Sequence, residues 1–194
     1  MTAEIAHHWP VPPPDGYTVD DLLTLPDLPP HTELLDGSLV FVSPQRYFHS
    51  VVIDSLVSGL RSTAPPELTV AREMTVLIDE RNGPEPDITV VRAAAVRHSD
   101  QTHFQVRDVL LAVEVVSPES EARDRDTKPH KYANAGIPYF WRVEKARPGG
   151  HPVVQVFDLD REDRIYRLVD TFRERLKLGT PFDIDIDLAA IALP

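Results

Sequence analysis

Two acidic side chains interrupt apolar segments of the sequence, and they are its strongest candidates for chemistry. Glu114 lies inside residues 109–116, which read VLLAVEVV and are otherwise apolar throughout. Asp87 follows Pro86 and stands directly before a second, largely apolar segment, residues 88–91. Burying a carboxylate is costly unless it pairs with a cation or binds a metal. The two acids therefore indicate a metal site or a buried ion pair.

Both acids lie in segments whose patterns predict buried β-strands. If these strands pair side by side, the carboxylates of Asp87 and Glu114 lie close together. Mg²⁺ prefers oxygen ligands and takes only one or two protein carboxylates, with water and substrate oxygens completing its coordination. The backbone carbonyl of Val115 is a third candidate ligand. An ion held in this way polarises a phosphodiester and lowers the pKa of a bound water molecule.

The segment after Glu114 supplies candidate cations on a short predicted helix. Pro129 is tolerated only in the first turn of a helix and Gly136 is a natural end, so the helix is expected to begin near Thr127. Lys128 and Tyr132 are i, i+4 neighbours on one face. Lys131 lies about 60° from Lys128 around the axis, so the direction permits either lysine to reach the acids.

Each candidate also has an ordinary structural explanation. A Pro-Asp pair at the start of a strand is commonly just a turn, which would account for Asp87. A buried arginine partner would account for Glu114 without any metal. His49, near the start of a predicted helix, is more often a capping or surface group than a ligand, and Lys128 alone would be an exposed lysine. Only the combination of the two acids with a nearby lysine favours a functional site over these structural explanations.

Charge and composition limit the kinds of function that are expected. The formal net charge of −11 argues against a protein that binds nucleic acid through a broadly basic surface. Positive charge is instead concentrated after Glu114, and we expect three of these basic residues to contact nucleic acid. They are Arg123, Arg125 and Lys131.

The sequence shows no feature of an exported or membrane protein. It has no cysteine, which fits a reducing cytoplasm and excludes disulfides and zinc–thiolate sites. The N-terminal residues have neither a basic nor an apolar region of a signal peptide, and no apolar run reaches the length of a membrane span. We therefore expect a cytoplasmic protein without a membrane partner.

The pattern along the chain predicts an α/β protein. Residues 1–16 are rich in proline and are expected to be flexible, and residues 17–194 are expected to form a single domain. A capping box at residues 18–21 predicts a short helix, Asp36-Gly37 predicts a hairpin, and apolar spacing predicts a helix over residues 47–62. Further strands are expected at residues 70–78, 88–91, 109–116, 137–143, 153–159, 164–172 and 182–186. Residues 93–105 are expected to be a loop or short helix.

Pro86-Asp87 followed by Glu114-Val115-Val116 resembles the signature of the PD-(D/E)XK nuclease superfamily. In that superfamily an aspartate and a glutamate on adjacent strands bind magnesium, and a lysine two residues after the glutamate assists the water molecule. Val116 stands at this lysine position, which is a departure from the signature.

The wider pattern is similar to one branch of that superfamily, the Uma-two-type restriction endonucleases, over about residues 16–188. The matching residues are Glu33-Leu34-Leu35-Asp36-Gly37, Leu39, Ser43-Pro44, His49, Pro86-Asp87, Val113-Glu114-Val115, Ser117-Pro118, Arg123-Asp124, Lys128, Tyr132-Ala133, Ala135-Gly136-Ile137, Tyr139 and Trp141. Members of this branch also lack the strand lysine, and the resemblance implies that Lys128 reaches the site instead. Glu33 matches an N-terminal glutamate that adds a third carboxylate, although an acid beside a hairpin on an edge strand explains it equally well.

The resemblance implies a restriction-endonuclease-like fold, with a mixed β-sheet flanked by helices, an additional N-terminal hairpin and additional C-terminal strands. It also implies an endonuclease dependent on Mg²⁺ or Mn²⁺ that cleaves DNA. The expected catalytic residues are Asp87, Glu114 and Lys128, and the possible additional ones are Glu33, His49 and Tyr132.

Two other functions remain open at this point, and fold alone does not decide between them. One is an inactive nuclease fold that binds nucleic acid or a protein partner. The other is a metal-dependent hydrolase of a small phosphorylated substrate, which the acidic net charge would suit better. A homodimer, formed through an exposed strand edge in the C-terminal half, is a further expectation because cutting both strands of DNA often requires two copies.

Overall fold

The computed structural model describes residues 11–42, 44–146 and 150–191. Residues 1–10 of the predicted flexible N-terminus, and Ser43 of the Ser43-Pro44 motif, therefore lie outside the described residues. The α-helices are α1 (Val19–Thr24), α2 (Tyr47–Thr63) and α3 (Lys128–Ala135). The strands are β1 (Glu33–Leu35), β2 (Ser38–Val40), β3 (Leu68–Arg72), β4 (Thr75–Leu77), β5 (Ile88–Arg92), β6 (His103–Gln105), β7 (Val109–Val115), β8 (Tyr139–Lys145), β9 (Pro152–Asp160), β10 (Ile165–Phe172), β11 (Arg175–Leu178) and β12 (Ile184–Asp187). Three single turns of 3₁₀ or π-helix are Ala93–Ala95, Val106–Asp108 and Arg123–Thr127.

A mixed six-stranded sheet forms the centre of the fold, in the order β10-β9-β8-β7-β5-β3. Strands β7 and β8 are parallel, and the turn Arg123–Thr127 and helix α3 connect them. The other neighbours in this sheet pair antiparallel. Strands β5 and β7 are neighbours, as the convergence of Asp87 and Glu114 requires. The predicted fold class is confirmed.

Strand β7 is covered on both faces, which explains its nearly continuous apolar sequence. Successive side chains of a strand point to opposite faces. Leu111, Val113 and Val115 pack in the apolar core that contains the buried face of α2. Ala112 packs instead in the second core, with Tyr132 of α3. Glu114 alternates with Val113 and Val115, so its side chain lies on the α3 side.

Local signals in the sequence account for the elements that border the site. Thr18 and Asp21 form the predicted capping box at α1: the Asp21 N–H donates to Thr18 Oγ1, and the Thr18 N–H donates to Asp21 Oδ2. Asp36 and Gly37 have φ angles of +50° and +75°, which the two-residue turn of the β1–β2 hairpin requires. Gly136 ends α3 in a left-handed conformation, as predicted.

Three predictions about individual elements were wrong. The strand expected at residues 70–78 is divided into β3 and β4, with Glu73 between them at a φ of +50°. Residues 93–105 were expected to lack a strand, but β6 lies there and pairs in parallel with β4. Strand β11 was not expected, and it pairs with β12. Strands of three or four residues carry too little periodicity to be recognised from the sequence.

Candidate active site

The acids and the lysine singled out in the sequence lie together in one narrow cleft. It is located at the starts of β1, β5, α2 and α3 and at the end of β7. The cleft is lined by His31, Glu33, Val42, Gln45, His49, Glu73, Glu85, Asp87, Glu114, Ser117, Ser120, Arg123, Asp124 and Lys128. Its free space is about 40 Å³. Because a buried water molecule needs roughly 10–15 Å³, the cleft admits an ion or a few water molecules but not a nucleotide.

Glu114 is buried and accepts hydrogen bonds from two residues of α3. Tyr132 Oη donates to Glu114 Oε1 at 2.6 Å, and Lys128 Nζ donates to Glu114 Oε2 at 3.2 Å. The buried partner of Glu114 is therefore a lysine, and the alternative of a structural arginine pair does not apply. Burial raises the pKa of Glu114 well above its usual value, against the opposing influence of the Lys128 ammonium.

Lys128 lies at the centre of the acidic groups. Its Nζ is 2.7 Å from Glu33 Oε1 and 3.6 Å from Asp124 Oδ1, in addition to the bond with Glu114, and the residue is only 4% exposed. Burial acts to lower the pKa of Lys128, but the surrounding carboxylates outweigh it and hold that pKa well above its usual value. The ammonium therefore stays protonated, which excludes a role as general base near neutral pH.

Asp87 is held directly before β5 by two contacts. The Val115 N–H donates to Asp87 Oδ2 at 2.5 Å, and His49 Nε2 lies 3.1 Å from Asp87 Oδ1. The first contact joins Asp87 to the end of β7, one residue beyond Glu114. The two acids thus approach each other as the sequence predicted, and Asp87 is more than the residue of a surface turn.

His49 is not the capping or surface group that its position in the sequence favoured. It is 5% exposed in the first turn of α2, and its ring lies against Asp87. Its Nδ1 atom is buried with no hydrogen-bond partner. A histidine buried beside an acid of the site can fix the orientation of that acid, which the hydrophobic pattern of α2 could not reveal.

Glu33 turns inward from β1 and is 2% exposed. Its Oε1 atom accepts a hydrogen bond from the Glu85 N–H at 2.8 Å and contacts Lys128. Glu85 in turn contacts His31, with 2.6 Å between His31 Nδ1 and Glu85 Oε1. Glu33 thus lies on a hairpin strand, as the structural explanation had it, but its side chain is buried among the other carboxylates.

Asp124 is a member of the cluster that the list of candidate residues from the sequence lacked. It is 2% exposed in the π-helical turn before α3. One carboxylate oxygen accepts a hydrogen bond from the Ser120 hydroxyl, while Oδ1 is buried with no hydrogen-bond partner. Its i, i+4 spacing from Lys128 was the available signal, but the predicted helix began only near Thr127, whereas the π-helical turn begins at Arg123.

The three basic residues expected to contact nucleic acid do not lie together. Arg123 lines the cleft, and its Nε atom is buried without a hydrogen-bond partner. Arg125 is outside the cleft, in ion pairs with Glu121 and Glu144. Lys131 points to the β1–β2 turn, where its Nζ is 2.6 Å from Asp36 Oδ1. Of the two candidate lysines, only Lys128 lines the cleft.

The buried cluster contains more negative groups than positive ones. Glu33, Glu114 and Asp124 each contact the single ammonium of Lys128, and the negative charge of Asp87 acts on the same group. One cation cannot compensate four carboxylates. Burial and, to a lesser extent, the neighbouring acids raise the pKa of Glu114, while the surrounding carboxylates raise the pKa of Lys128. The group that protonates most readily is then a carboxylate, and an additional cation would relieve the repulsion.

The donor chemistry of the cluster matches a hard divalent cation, because its side-chain donors are mainly carboxylate oxygens. The Oδ1 atom of Asp124, which accepts no hydrogen bond and lies 3.6 Å from Lys128 Nζ, adds a buried acceptor. Within the described residues, however, no three histidine, aspartate or glutamate side chains are arranged to hold a metal ion. The ammonium of Lys128 lies among these acids instead, so metal binding requires the lysine to give way.

A match with a known protein family shows which family the chain belongs to. The Uma2 family, described as "Putative restriction endonuclease", matches residues 19–190. The chain belongs to the Uma2 family. The resemblance seen in the sequence is therefore confirmed, and membership of Uma2 supports a hydrolytic enzyme that acts on nucleic acid.

Known structures agree with this assignment at the level of the fold. The chain is similar to a "putative nuclease belonging to DUF820" from Anabaena variabilis ATCC 29413, with a TM-score of 0.64 and 17% sequence identity over 84% of this chain and 89% of that one. No curated protein matches the sequence. None of the helices in the described residues is long and apolar enough to cross a membrane.

Proposed function

We propose that this Uma2 protein is a divalent-metal-dependent endonuclease that hydrolyses phosphodiester bonds in DNA. One observation carries the proposal: acids from β1, β7 and the turn before α3 contact one buried ammonium, and Asp87, directly before β5, lines the same cleft. A buried cluster with excess negative charge is a poor way to stabilise a fold, whereas perturbed pKa values concentrate at active sites.

Asp87 and Glu114 are the proposed metal ligands, together with the carbonyl of Val115. Mg²⁺ and Mn²⁺ suit these oxygen donors, and Glu33 and Asp124 are near enough to Lys128 to receive its ammonium. When bound, such an ion supplies Lewis-acid polarisation of the phosphodiester and lowers the pKa of a water molecule.

Lys128 is the proposed electrostatic catalyst. Its raised pKa keeps it protonated, so it donates hydrogen bonds and stabilises negative charge that develops on the phosphoryl oxygens. It reaches the site from α3 rather than from β7. The position two residues after Glu114 is the apolar Val116, which cannot supply a cation.

Two further residues orient the acids. Tyr132 donates to Glu114 Oε1, and burial raises the pKa of this phenol well above its usual value, so it remains a donor. His49 lies against Asp87 Oδ1, while the Val115 N–H donates to the other carboxylate oxygen, Oδ2. With both orienting contacts in place, Asp87 and Glu114 keep fixed positions when substrate enters.

A cleavage assay tests the proposed function. Purified protein is incubated with supercoiled plasmid and with single-stranded DNA in Mg²⁺, in Mn²⁺ and in excess chelator, and Asp87→Ala is the matched inactive control. We expect metal-dependent nicking or cutting by the wild type and none by the variant. Activity that persists in chelator, or equally in Asp87→Ala, would contradict the proposal.

A parallel reaction with a small chromogenic phosphodiester separates the nuclease from a small-substrate hydrolase. The nuclease is expected to prefer DNA, and DNA should compete against the small substrate. A protein that hydrolyses the small ester, ignores DNA and shows no competition would instead be the small-substrate hydrolase. A protein that binds DNA without cleaving either substrate would be an inactive descendant of the fold.

A further inference from the structure

The acidic cleft creates an electrostatic problem for any polynucleotide whose phosphates approach its mouth. Six carboxylates line the cleft: Glu33, Glu73, Glu85, Asp87, Glu114 and Asp124. The backbone of nucleic acid is held mainly by lysine and arginine contacts to its phosphates. Of the two cations that line the cleft, Lys128 is enclosed by acids and Arg123 is a single guanidinium, so further cations outside the cleft are needed to hold the rest of the strand.

A second pocket lies directly beside the cleft, and we call it the side pocket. It is formed by the start of α2, residues 116–118 and the end of β8, and it shares His49 and Ser117 with the cleft. Its volume is about 270 Å³, close to the lower end, about 300 Å³, of the range for small-molecule sites. It is therefore large enough for one small planar group at the margin of the proposed active site.

The walls of the side pocket combine an aromatic ring, an apolar surface, cations and the two carboxylates of Glu121 and Glu144, which are paired with Arg125. Phe48 is half-buried, and it packs against the apolar core that contains the buried face of α2. This packing restricts the movement of its ring. Val116, the residue at the position of the missing strand lysine, forms part of the apolar wall. Lys145 lies over the Phe48 ring, with 5.5 Å between its Nζ and the ring centroid. Position 116, where the superfamily signature has a lysine, therefore contributes apolar surface to the side pocket.

Lys145 differs from the two arginines of the side pocket. Arg46 is paired with Glu119, and Arg125 is paired with Glu121 and Glu144. Within the part of the chain that the structure describes, no carboxylate forms an ion pair with Lys145, which is exposed to solvent. Its charge is thus available to an incoming anion.

We propose that the side pocket binds an unpaired nucleotide next to the scissile phosphate. The base takes the place of the Lys145 ammonium on the Phe48 ring, and the ammonium turns to a phosphate of the same strand. This inference rests on the proposed nuclease function and adds a binding subsite to it. A ring face, an apolar wall and an unpaired cation together match the requirements of single-stranded nucleic acid, whose bases stack on aromatic side chains while the phosphates meet basic groups. A duplex, with its bases already stacked, gains less from this pocket.

Binding of a labelled oligodeoxynucleotide in chelator and low salt tests the subsite without catalysis. Single-stranded DNA and the same sequence as a duplex are titrated with wild type, Phe48→Leu and Lys145→Gln, and the affinity is read from fluorescence anisotropy. Phe48→Leu keeps an apolar side chain in the core, and melting temperatures verify that each variant is folded. Lys177→Gln, on β11, removes the same charge outside the side pocket and serves as the control.

We expect Phe48→Leu to weaken single-strand binding at least fivefold, in line with the stacking of one base on an aromatic ring. Lys145→Gln should weaken it severalfold and reduce its salt dependence, whereas Lys177→Gln should behave like the wild type. Wild-type affinity in both side-pocket variants would overturn the subsite while the metal-dependent cleavage assay still supports a nuclease. A loss of duplex binding alone would also overturn it.

Discussion

The two faces of strand β7 are both buried, but the buried side chains are stabilised in different ways on each face. On one face, Val113 and Val115 pack against the apolar core that includes α2. On the other face, Glu114 is equally buried but is surrounded by Lys128, Tyr132 and further acids. The face of β7 toward α2, called the α2 face below, follows the ordinary rule that apolar residues fill the interior. The face toward α3, called the α3 face, instead contains a charged cluster, and such exceptions are expected at functional sites.

Stability should depend most strongly on the cation at the centre of the α3 face. Lys128→Ala leaves Glu33, Glu114 and Asp124 buried without a counter-ion, which should lower the free energy of unfolding by about 3–5 kcal/mol. The same change should reduce DNA cleavage by about two to three decades, by analogy with the loss of one donor to a developing anion. Urea denaturation and initial cleavage rates measure the two effects.

Mg²⁺ sharpens this test because it can replace the missing positive charge. The unfolding free energy of Lys128→Ala should recover in part when Mg²⁺ is added, while the cleavage rate should not. Near-wild-type stability of Lys128→Ala in chelator would mean that the acids of the α3 face do not depend on this ammonium.

On the α2 face, the corresponding test is the loss of apolar volume. Leu56 is fully buried in α2, and Leu56→Ala should lower the free energy of unfolding by about 2–5 kcal/mol through lost transfer energy and a cavity. Because no charge is involved, this loss should be the same in chelator and in Mg²⁺. A metal-dependent loss in Leu56→Ala would show that the two faces are not energetically separate.

Asp124→Asn should have a moderate effect on function and a small one on stability. The substitution keeps the shape of the side chain but removes the negative charge 3.6 Å from Lys128 Nζ. Cleavage should fall about tenfold because Lys128 is held less firmly, whereas the free energy of unfolding should change by less than about 1 kcal/mol since negative charge is in excess. Asp124→Glu, which keeps the charge, should retain more cleavage than Asp124→Asn. The opposite ranking would contradict a role for that charge.

The smallest effect is expected at Lys131, outside the cleft. Its partner Asp36 is 72% exposed, so Lys131→Ala should cost less than about 1 kcal/mol of unfolding free energy. Cleavage at saturating DNA should stay near the wild-type rate, although binding can weaken. An inactive Lys131→Ala, together with an active Lys128→Ala, would assign the catalytic role to the other lysine.

The sequence was sufficient to predict the elements with strong local signals. The capping box of α1, the Asp36-Gly37 turn, helix α2 and the end of α3 at Gly136 are all present in the structure. The pairing of β5 with β7 followed from the family resemblance, and it brings Asp87 near Glu114. These features depend on neighbouring residues or on two long apolar strands.

The composition of the cluster could not be read from the sequence in the same way. His49 and Glu33 each had an equally good or better structural explanation, because burial depends on elements distant along the chain. The role of Asp124 depends on a π-helical turn, whose altered spacing is not visible in a hydrophobic pattern. The sequence also left open which of Lys128 and Lys131 points toward the acids, since both share one side of a short helix.

Thermal unfolding with and without Mn²⁺ or Mg²⁺ tests most directly whether the acids on the α3 face bind a divalent cation. A ligand present at about one hundred times its Kd stabilises by about 2.7 kcal/mol, or roughly 5–10 °C of melting temperature for a domain of this size. Wild type and Leu56→Ala should show this increase, and Glu114→Gln should lose most of it while remaining folded. An equal increase in Glu114→Gln, or none in the wild type, would contradict binding of a divalent cation by these acids.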